Sequence, residues 1–588
     1  MRAGKKIPRA RMLLYTAVLL LLVYSWVRFS TTSRPDEEPP SPLHPPAKVV
    51  KVDDLAAGSD KGDFAHNPIA PADVARVPDT GARPKVQPYE HKKKPSPQQH
   101  YGKVDGTGKS EQGAGYPFPM FMGPDRGFAD EKMMEKVKAM MTHAWDSYVA
   151  YAPLSDELRP VAGIKHDWHS VGSLLSTPVD SLDTLKIMGL TSRYEVAKKM
   201  VLDHLKIDFD AYVSLFETNI RVLGGLLSAY EFDNDPRYLA MAEDLGERFT
   251  HAFNTPSGFP INAFNLKTKT GGGGNAGLAE MGTLQLELQY LSDVTGKLFY
   301  AEKALAVYDT LYGATLPVPG LYPLTWSTSD VQHMGEHYGI GAAADSFYEY
   351  LLKLWLSTGD NKYREMYDRS AEAVAAHILV TKGDQAYLPE AFHNGDSWNS
   401  ETSFHHLTCF AGGMFATGAL TNRRGKWTTY LDIGRKVTET CWATYAATAS
   451  GLGPEDVRIE GLEAKDSRYL LRPETIESIF YMYRFTHDPL YRDMGRAFVA
   501  ALDKHCRKEK GFAGLVDVRS PNSGPDDLQQ SFFLAETLKY AYLLFTDDDV
   551  VPLEAYVFNT EAHPVSMRGY GRRKDIKRGT VERQKKKQ

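Results

Sequence analysis

Two carboxylates stand three residues apart at the head of an apolar and aromatic run. Glu474 and Glu477 open the segment 474–483, whose other residues are mainly isoleucine, phenylalanine, tyrosine and methionine. Residues three apart on a helix share one face. A helix of this composition is normally buried, and an unpaired carboxylate is costly to bury. The pair therefore predicts either a structural ion pair or acid–base chemistry.

Further acids recur between apolar or aromatic residues along the chain. They are Glu217, Glu287, Asp345, Glu349 and Glu536. Arg221 follows Glu217 by four residues and is its expected helical partner. Each acid alone is consistent with a solvated helix face or a buried ion pair. Together they favour a carbohydrate site, because aromatic rings cover the apolar faces of sugars. Glycoside hydrolysis needs one carboxyl as acid and another as base or nucleophile.

The sequence lacks the motifs that would indicate other kinds of catalytic or binding site. His405 and His406 are adjacent rather than four apart, and H-E-x-x-H is absent, so we predict ordinary polar or core histidines. The run Asp547-Asp548-Asp549 predicts a solvated loop. A net charge of -5 over 588 residues argues against nucleic-acid binding. Three cysteines are too few for a disulfide-rich scaffold.

Helical periodicity dominates the part of the chain that carries these acids. Apolar residues recur at three- and four-residue spacing in the windows 130–151, 220–230, 278–291, 345–356, 363–379, 475–485, 491–506 and 532–545. Loops rich in glycine or proline separate the windows, and strand-like alternation is scarce. This pattern predicts an all-α domain of helical hairpins. Because the acids recur from helix to helix, we expect a helical barrel with one acid cluster at its mouth.

The N-terminus predicts a membrane anchor. Residues 12–27 carry no charge, and five basic residues precede them. Trp26 and Arg28 make a poor cleavage site, so we favour an uncleaved signal anchor over a cleaved signal peptide. The predicted organisation is a cytoplasmic tail (1–11), a transmembrane signal anchor (12–29), a disordered lumenal stem (30–124), a globular domain (125–565) and a basic disordered tail (566–588).

Seven blocks in one order carry a family resemblance. They are 179–185 (VDSLDTL), 216–230 (FETNIRVLGGLLSAY), 345–353 (DSFYEYLLK), 406–410 (HLTCF), 471–474 (LRPE), 535–540 (AETLKY) and 558–563 (FNTEAH). In these blocks the chain resembles the class I α-1,2-mannosidases, glycoside hydrolase family 47. The resemblance covers about residues 128–564, the whole globular part.

The resemblance implies an (α/α)7 barrel and calcium-dependent, inverting hydrolysis of terminal α-1,2-linked mannose from high-mannose N-glycans. It implies that Glu474 is the general base and Glu217 the general acid, with Asp345 as the competing acid. The implied substrate-binding residues are Asp180, Arg221, Glu287, Glu349, Glu455, Glu477, Glu536 and Glu561. Thr560 is the implied calcium ligand. The resemblance also implies a Cys409–Cys441 disulfide and a free, buried Cys506.

The implied setting is the secretory pathway. Ala343 stands where the endoplasmic-reticulum enzymes that remove one particular mannose carry arginine. We therefore expect a Golgi-type enzyme that trims several mannose residues, with residence in the endoplasmic reticulum as the alternative. The expected partners are glycoproteins bearing high-mannose N-glycans and the membrane, with no nucleic acid. Two other functions stay open: a glycan-binding lectin with weak or no turnover, and a six-hairpin helical glycosidase of other specificity.

Overall fold

The computed structural model describes residues 127–567 of the chain, except 209, 396 and 422–425. Within that part, no helix combines the length and the apolarity needed to cross a membrane. The predicted cytoplasmic tail, anchor and stem lie outside the described residues, as does the basic tail from residue 568 onward.

Fourteen helices in the described residues form seven neighbouring pairs. They are α1 (Glu131–Tyr151), α2 (Ser176–Ile187), α3 (Thr191–His204), α4 (Gly224–Asp233), α5 (Pro236–Thr250), α6 (Gln285–Thr295), α7 (Phe299–Gly313), α8 (Asp345–Thr358), α9 (Asn361–His377), α10 (Ala411–Thr421), α11 (Trp427–Ala446), α12 (Glu474–Thr486), α13 (Pro489–His505) and α14 (Leu538–Leu543). Each even-numbered helix from α2 to α12 pairs with the helix that follows it, and α14 pairs with α1. The predicted helix-rich, hairpin-based fold is confirmed.

The even-numbered helices contact one another in a closed ring. Each contacts the next in the series, and the π-helical segment Phe533–Thr537, which leads into α14, contacts α2. Nearly every residue of α10 and α12 is buried, whereas α5 and α13 bury one face only. This contrast matches an inner and an outer layer. Because each inner helix is followed by an outer one, the inner helices begin at one end of the ring, here called the mouth, and finish at the far end.

Short turns at the far end join inner to outer helices. Three inner helices stop at a residue with positive φ that precedes an aspartate: Asn234-Asp235, Gly359-Asp360 and His487-Asp488. Each aspartate then accepts a backbone hydrogen bond inside the first turn of the next helix. The pattern combines a left-handed C-terminal residue with an N-cap carboxylate, and proline follows in two cases.

The connections at the mouth contain short antiparallel strands. They are β1 (Glu157–Arg159), β2 (Ile164–His166), β3 (Tyr212–Ser214), β4 (Ala263–Asn265), β5 (Thr270–Gly272), β6 (Asn275–Gly277), β7 (Thr325–Ser327), β8 (His337–Tyr338), β9 (Val380–Lys382), β10 (Gln385–Tyr387), β11 (Ala391–Asn394), β12 (Ser397–Ser400), β13 (Ser403–His405), β14 (Asp456–Arg458), β15 (Ala464–Asp466), β16 (Arg507–Lys508) and β17 (Gly511–Phe512). Strands of two to four residues are too short to show alternation in a sequence, so the sequence predicted only loops here.

A C-terminal hairpin lies inside the ring. Its strands are β18 (Tyr556–Phe558) and β19 (Pro564–Ser566), paired antiparallel. Asn559 donates to the carbonyl oxygen of Ile220 at 2.8 Å, and Lys539 of α14 donates to the carbonyl oxygen of Ala562 at 2.6 Å. Ser228 of α4 donates to the carbonyl oxygen of Pro564 at 2.9 Å. These contacts hold the hairpin tip among the inner helices.

Two predictions about individual residues have clear outcomes. The predicted Cys409–Cys441 disulfide is present, and Cys506 is free and buried as predicted. The prediction of a solvated loop at 547–549 is wrong for Asp548, which is buried. Its carboxylate accepts from the backbone nitrogen of Gly127 at 3.1 Å and contacts the His487 ring at 2.8 Å.

Candidate functional site

The acids predicted from the sequence gather at the mouth ends of the inner helices. Asp345 is the first residue of α8, Glu474 the first of α12 and Glu287 the third of α6. Glu217 ends the short helix Leu215–Glu217, which the π-helical segment Thr218–Leu223 joins to α4, and Glu536 lies just before α14. Since the N-terminus of a helix carries partial positive charge, it favours a nearby carboxylate. The parallel direction of the inner helices therefore builds one acidic site from segments far apart in sequence.

Glu474 is held by a histidine and an arginine. Its Oε2 lies 2.7 Å from His406 Nδ1, and its Oε1 lies 3.9 Å from an Arg472 nitrogen. Burial opposes ionisation of Glu474, but the His406 hydrogen bond and the charges of His406 and Arg472 lower its pKa overall. Arg472 is itself fixed by two hydrogen bonds to the Glu455 carboxylate, at 2.7 and 2.9 Å. This geometry keeps Glu474 ionised.

The pKa of Asp345 is shifted in the opposite direction to that of Glu474. Burial is the main cause that raises its pKa to about 7, and the charges of Glu349 and Glu474 add to the effect. The backbone nitrogen of Ser346, at 2.8 Å, donates to its Oδ1 and partly offsets the shift. Two carboxyls of one site whose environments push their pKa values apart suit the roles of proton acceptor and proton donor.

Arg221 joins three of the predicted acids. Its Nε donates to Glu217 at 2.8 Å, one Nη donates to Glu561, and the same nitrogen lies 3.7 Å from Asp180. The Glu217 side chain is 39% exposed, whereas those of Asp180 and Glu561 are buried. The predicted pairing of Glu217 with Arg221 is confirmed. Glu217 is therefore the member of this group that faces the open mouth.

Glu287 links the inner helices to the hairpin tip. It accepts hydrogen bonds from Asn219 at 2.9 Å, from Asn559 at 2.8 Å and from the Tyr350 hydroxyl at 2.6 Å. The same hydroxyl accepts from the backbone nitrogen of Thr560 at 3.2 Å. Burial raises the pKa of Glu287, and the three donors oppose that rise. The predicted calcium ligand Thr560 thus lies beside the acid cluster, at the tip of the hairpin.

Negative charge is in excess in the interior of the cluster. Burial raises the pKa of Glu477, Glu536 and Glu561 well above the usual value. Repulsion from Glu349 adds to the shift at Glu477, and Glu561 and Glu474 add to it at Glu536. Lys353 pairs with Glu349 and partly offsets this charge. Direct contacts or charge therefore link the predicted acids to one another, except Glu287, which contacts neutral side chains of the inner helices and the hairpin tip.

Unusual backbone conformations accompany the site. Arg221 lies in the π-helical segment Thr218–Leu223, and Glu536 lies in Phe533–Thr537. π-helical turns are rare and frequently mark functional sites. Three non-glycine residues beside site residues have positive φ, namely Ala343 at 69°, Leu471 at 64° and Ala562 at 57°. Backbone strain of this kind clusters at functional sites, where the surrounding structure maintains it.

Sequence reasoning missed several residues that support the acids. His406 is buried, in agreement with the prediction of a polar or core histidine, but its contacts with Glu474 at 2.7 Å and with the Tyr445 hydroxyl at 2.6 Å were not foreseen. A buried ionic cluster below the site was also missed. In it, Asp183 lies 2.8 Å from both Lys539 and His563. Asp183, His406, Lys539 and His563 all stand inside the resemblance blocks, which was the available signal.

The residues at the hairpin tip fit a calcium ion. Calcium takes six to eight oxygen ligands, and the groups near Thr560 include the Tyr350 hydroxyl and the Glu287 carboxylate. Burial raises the pKa of Glu477, Glu536 and Glu561, and the charges of neighbouring acids, which a divalent cation would offset, add to the rise. Within the described residues, no three histidine, cysteine or acidic side chains are placed to ligate a metal directly.

Comparison with known proteins agrees with this geometry. The family model of glycosyl hydrolase family 47 matches residues 140–567. Mannosyl-oligosaccharide 1,2-alpha-mannosidase IB of Mus musculus is 42% identical over 470 residues, which cover 76% of this chain and 72% of the mouse protein. The human protein of the same name is 43% identical over 448 residues, covering 73% of this chain and 69% of its own length.

A solved structure shares the fold. The alpha-1,2-mannosidase from Trichoderma reesei superposes with a TM-score of 0.70 at 31% identity, covering 75% of this chain and all of the fungal chain. The resemblance predicted from the seven sequence blocks is therefore confirmed over the helical ring. The chain belongs to glycosyl hydrolase family 47 and is a glycoside hydrolase.

Proposed function

We propose that this protein is an α-1,2-mannosidase that removes terminal mannose residues from high-mannose N-glycans with inversion and with calcium as cofactor. The printed names of its relatives support the substrate class. The ring of seven helix pairs supports the (α/α)7 barrel. The observation that carries the proposal is the meeting of an ionised carboxylate, Glu474, and a carboxyl of raised pKa, Asp345, in one acid cluster.

Glu474 acts as the general base. Its ionised form accepts a proton from the attacking water, and His406 and Arg472 fix the direction of its oxygens. In an inverting glycosidase the base and the acid stand on opposite sides of the scissile bond. The hydrogen bond between His406 and Tyr445 anchors the histidine from behind, so that the carboxylate stays oriented while water reacts.

The proton donor is Asp345 or Glu217. Asp345 holds a proton near neutral pH because burial raises its pKa to about 7. Glu217 is the more exposed of the two and is paired with Arg221. We favour Asp345 as the proton source on its protonation state, with Glu217 orienting the leaving group or relaying the proton through water. The pH dependence of the two variants, described in the Discussion, distinguishes these assignments.

The remaining site residues bind and orient the sugar. Asp180, Arg221, Glu287, Glu349, Glu455, Glu477, Glu536 and Glu561 present carboxylates and a guanidinium that bind hydroxyl groups. Thr560 would hold the calcium ion, which when bound supplies Lewis acidity and a template for sugar hydroxyls. The hydrogen bonds of Tyr350 and Asn559 fix the hairpin tip that carries Thr560.

We further propose a lumenal location with a type II membrane anchor, in the Golgi. The apolar segment 12–27 behind a basic N-terminus supports the anchor. The Cys409–Cys441 disulfide supports an oxidising compartment. Residence in the endoplasmic reticulum is compatible with the same features.

The direct test is mannose release from a high-mannose oligosaccharide in calcium. We expect several α-1,2-linked residues to be released, activity to be lost on chelation, and calcium to restore it. A glycan-binding lectin would instead bind the oligosaccharide without release, and a glycosidase of other specificity would act on another sugar. The product series from a time course gives the order of removal. Calcium-independent release would refute the cofactor assignment alone.

A further inference from the structure

A partly exposed tryptophan lies beside the acid cluster and does not pack against the apolar core. Trp168 lies in the connection between α1 and α2, at the mouth. Among the described residues, the other partly buried tryptophans (Trp398, Trp427 and Trp442) pack against the apolar core, but Trp168 does not. An aromatic ring of this size normally contributes to stability through core burial. Its position therefore calls for another explanation.

Trp168 contacts the charged part of the site. The guanidinium carbon of Arg221 lies 5.5 Å from the centroid of its ring. The ring of Phe532 flanks the same guanidinium at 5.7 Å. Since Arg221 pairs with Glu217 and Glu561, the two rings stand on the rim of the acid cluster itself. Two aromatic rings beside acids at a cavity entrance are the usual surroundings of a sugar.

The indole is fixed in place before any ligand arrives. Its Nε1 donates to the buried carboxylate of Glu157 at 3.1 Å, and its backbone nitrogen donates to Asp156 at 3.0 Å. Glu157 also accepts from the backbone nitrogen of Ser531 at 3.0 Å, which ties the Trp168 connection to the segment that carries Phe532. Because the only polar atom of the indole is satisfied, a ligand would contact the part of its apolar surface that the Arg221 guanidinium does not cover.

We propose that Trp168 is a specificity-determining platform for the mannose residue on the leaving-group side of the scissile bond. The proposal rests on the function proposed above. Glu217, partly exposed at the mouth and bridged to Trp168 by Arg221, is the residue proposed above to orient the leaving group or relay its proton. A sugar leaving past Glu217 would lay its C–H face on the indole. Trp168 then positions this second sugar and takes no part in proton transfer.

Kinetics with α-1,2-linked mannobiose test the platform. We expect Trp168→Ala to raise KM about tenfold, because one aromatic contact is lost, while kcat changes less than threefold. Trp168→Phe keeps an aromatic face and should retain most of the affinity. Thermal melting of both variants checks folding. Equal KM values for the wild type and for a folded Trp168→Ala variant would overturn the proposal.

Fluorescence gives a readout that a purely structural role would not change. In the Glu474→Gln background, mannobiose should quench emission from Trp168. Trp168→Phe should abolish that quenching, whereas Trp427→Phe, a partly buried tryptophan at the start of outer helix α11, should preserve it. Undiminished quenching in the Trp168→Phe variant would overturn the proposal. Absence of any mannose release by the wild type would instead refute the proposed function, so the two failures are distinguishable.

Discussion

The two ends of the helical ring differ in how their buried charged side chains are compensated. At the far end, Arg484 is almost fully buried, yet it donates to the carbonyl oxygens of Leu543 at 3.1 Å, Asp548 at 3.2 Å and Val550 at 3.1 Å. These carbonyls lie at and just after the C-terminus of α14, where the helix dipole is negative. At the mouth, carboxylates crowd the positive ends of the inner helices without enough cations to match them.

The comparison separates structural from functional charge. The far-end arginines are held mainly by backbone acceptors: Arg492 donates to the carbonyls of Phe128, Leu544 and Thr546. They also tie the first described residues to the ring. The mouth acids repel one another and stay partly unpaired, which is unfavourable for stability and useful for binding hydroxyls and a cation. Charge at the mouth should therefore affect catalysis, and charge at the far end should affect folding.

The largest expected effect is at the mouth. Glu474→Gln removes the proton acceptor but preserves the shape and the contact with His406, so kcat should fall by about 10³-fold. Binding of the oligosaccharide, measured by calorimetry, should stay within a few-fold of the wild type. Glu439→Gln, a partly exposed glutamate on outer helix α11, is the matched control and should leave kcat unchanged. Near-normal turnover in Glu474→Gln would remove the base assignment.

The next effect tests the far end. Arg484→Met leaves several carbonyls and Asp548 without their buried partner, and should cost about 3–5 kcal/mol of unfolding free energy. Chemical denaturation measures this loss. The kcat of the folded fraction should match that of the wild type. A large drop in kcat at unchanged stability would contradict the assignment of far-end charge to folding and of mouth charge to catalysis.

The pH dependence of the rate tests which carboxyl at the mouth donates the proton. Asp345 must keep its proton to act as the acid, and its pKa is raised to about 7. The rate should therefore fall about tenfold per pH unit above that value. Glu217→Gln should keep this alkaline limb at a lower rate, whereas Asp345→Asn should remove it. The reverse result would assign the proton to Glu217.

The smallest effect concerns stability at the mouth. The pKa of Glu536 is raised, so the folded state keeps its proton after the unfolded state has lost it. Its contribution to stability therefore falls as pH rises above the unfolded value. In calcium-free buffer, Glu536→Gln should gain about 1 kcal/mol relative to the wild type at pH 8 and little at pH 4. A loss of stability at pH 8 would show that Glu536 is well paired.

Apolar spacing predicted eight of the fourteen helices, and the six helices that it missed are α2, α3, α5, α7, α10 and α11. The apolar spacing after Asp345 and Glu474 predicted α8 and α12 with their first residues within one position. Helix α2 was not predicted, because its buried residues include serines, threonines and aspartates that bond within the ring. Helix α5 was also missed, although the start signal Asp235-Pro236 was present. Strands of two to four residues carry no period long enough to detect.

The sequence predicted the acidic residues of the site but did not predict the side chains that hydrogen-bond to them. Apolar flanks drew attention to most of the acids, namely Glu217, Glu287, Asp345, Glu349, Glu474, Glu477 and Glu536. The family resemblance supplied Asp180, Glu455 and Glu561. The contact between His406 and Glu474 joins residues 68 positions apart, and that between Asn559 and Glu287 joins residues 272 apart. No local pattern encodes such pairs, since they arise only when the inner helices align side by side.

The most direct test of the central claim is the configuration of the first mannose released. The full-length protein is mixed with α-1,2-linked mannobiose in calcium-containing buffer. Proton NMR then records the anomeric signal of the released mannose before it mutarotates. Because Glu474 directs water to the face opposite the leaving group, β-mannose should appear first. Initial α-mannose, or no mannose at all, would contradict the account.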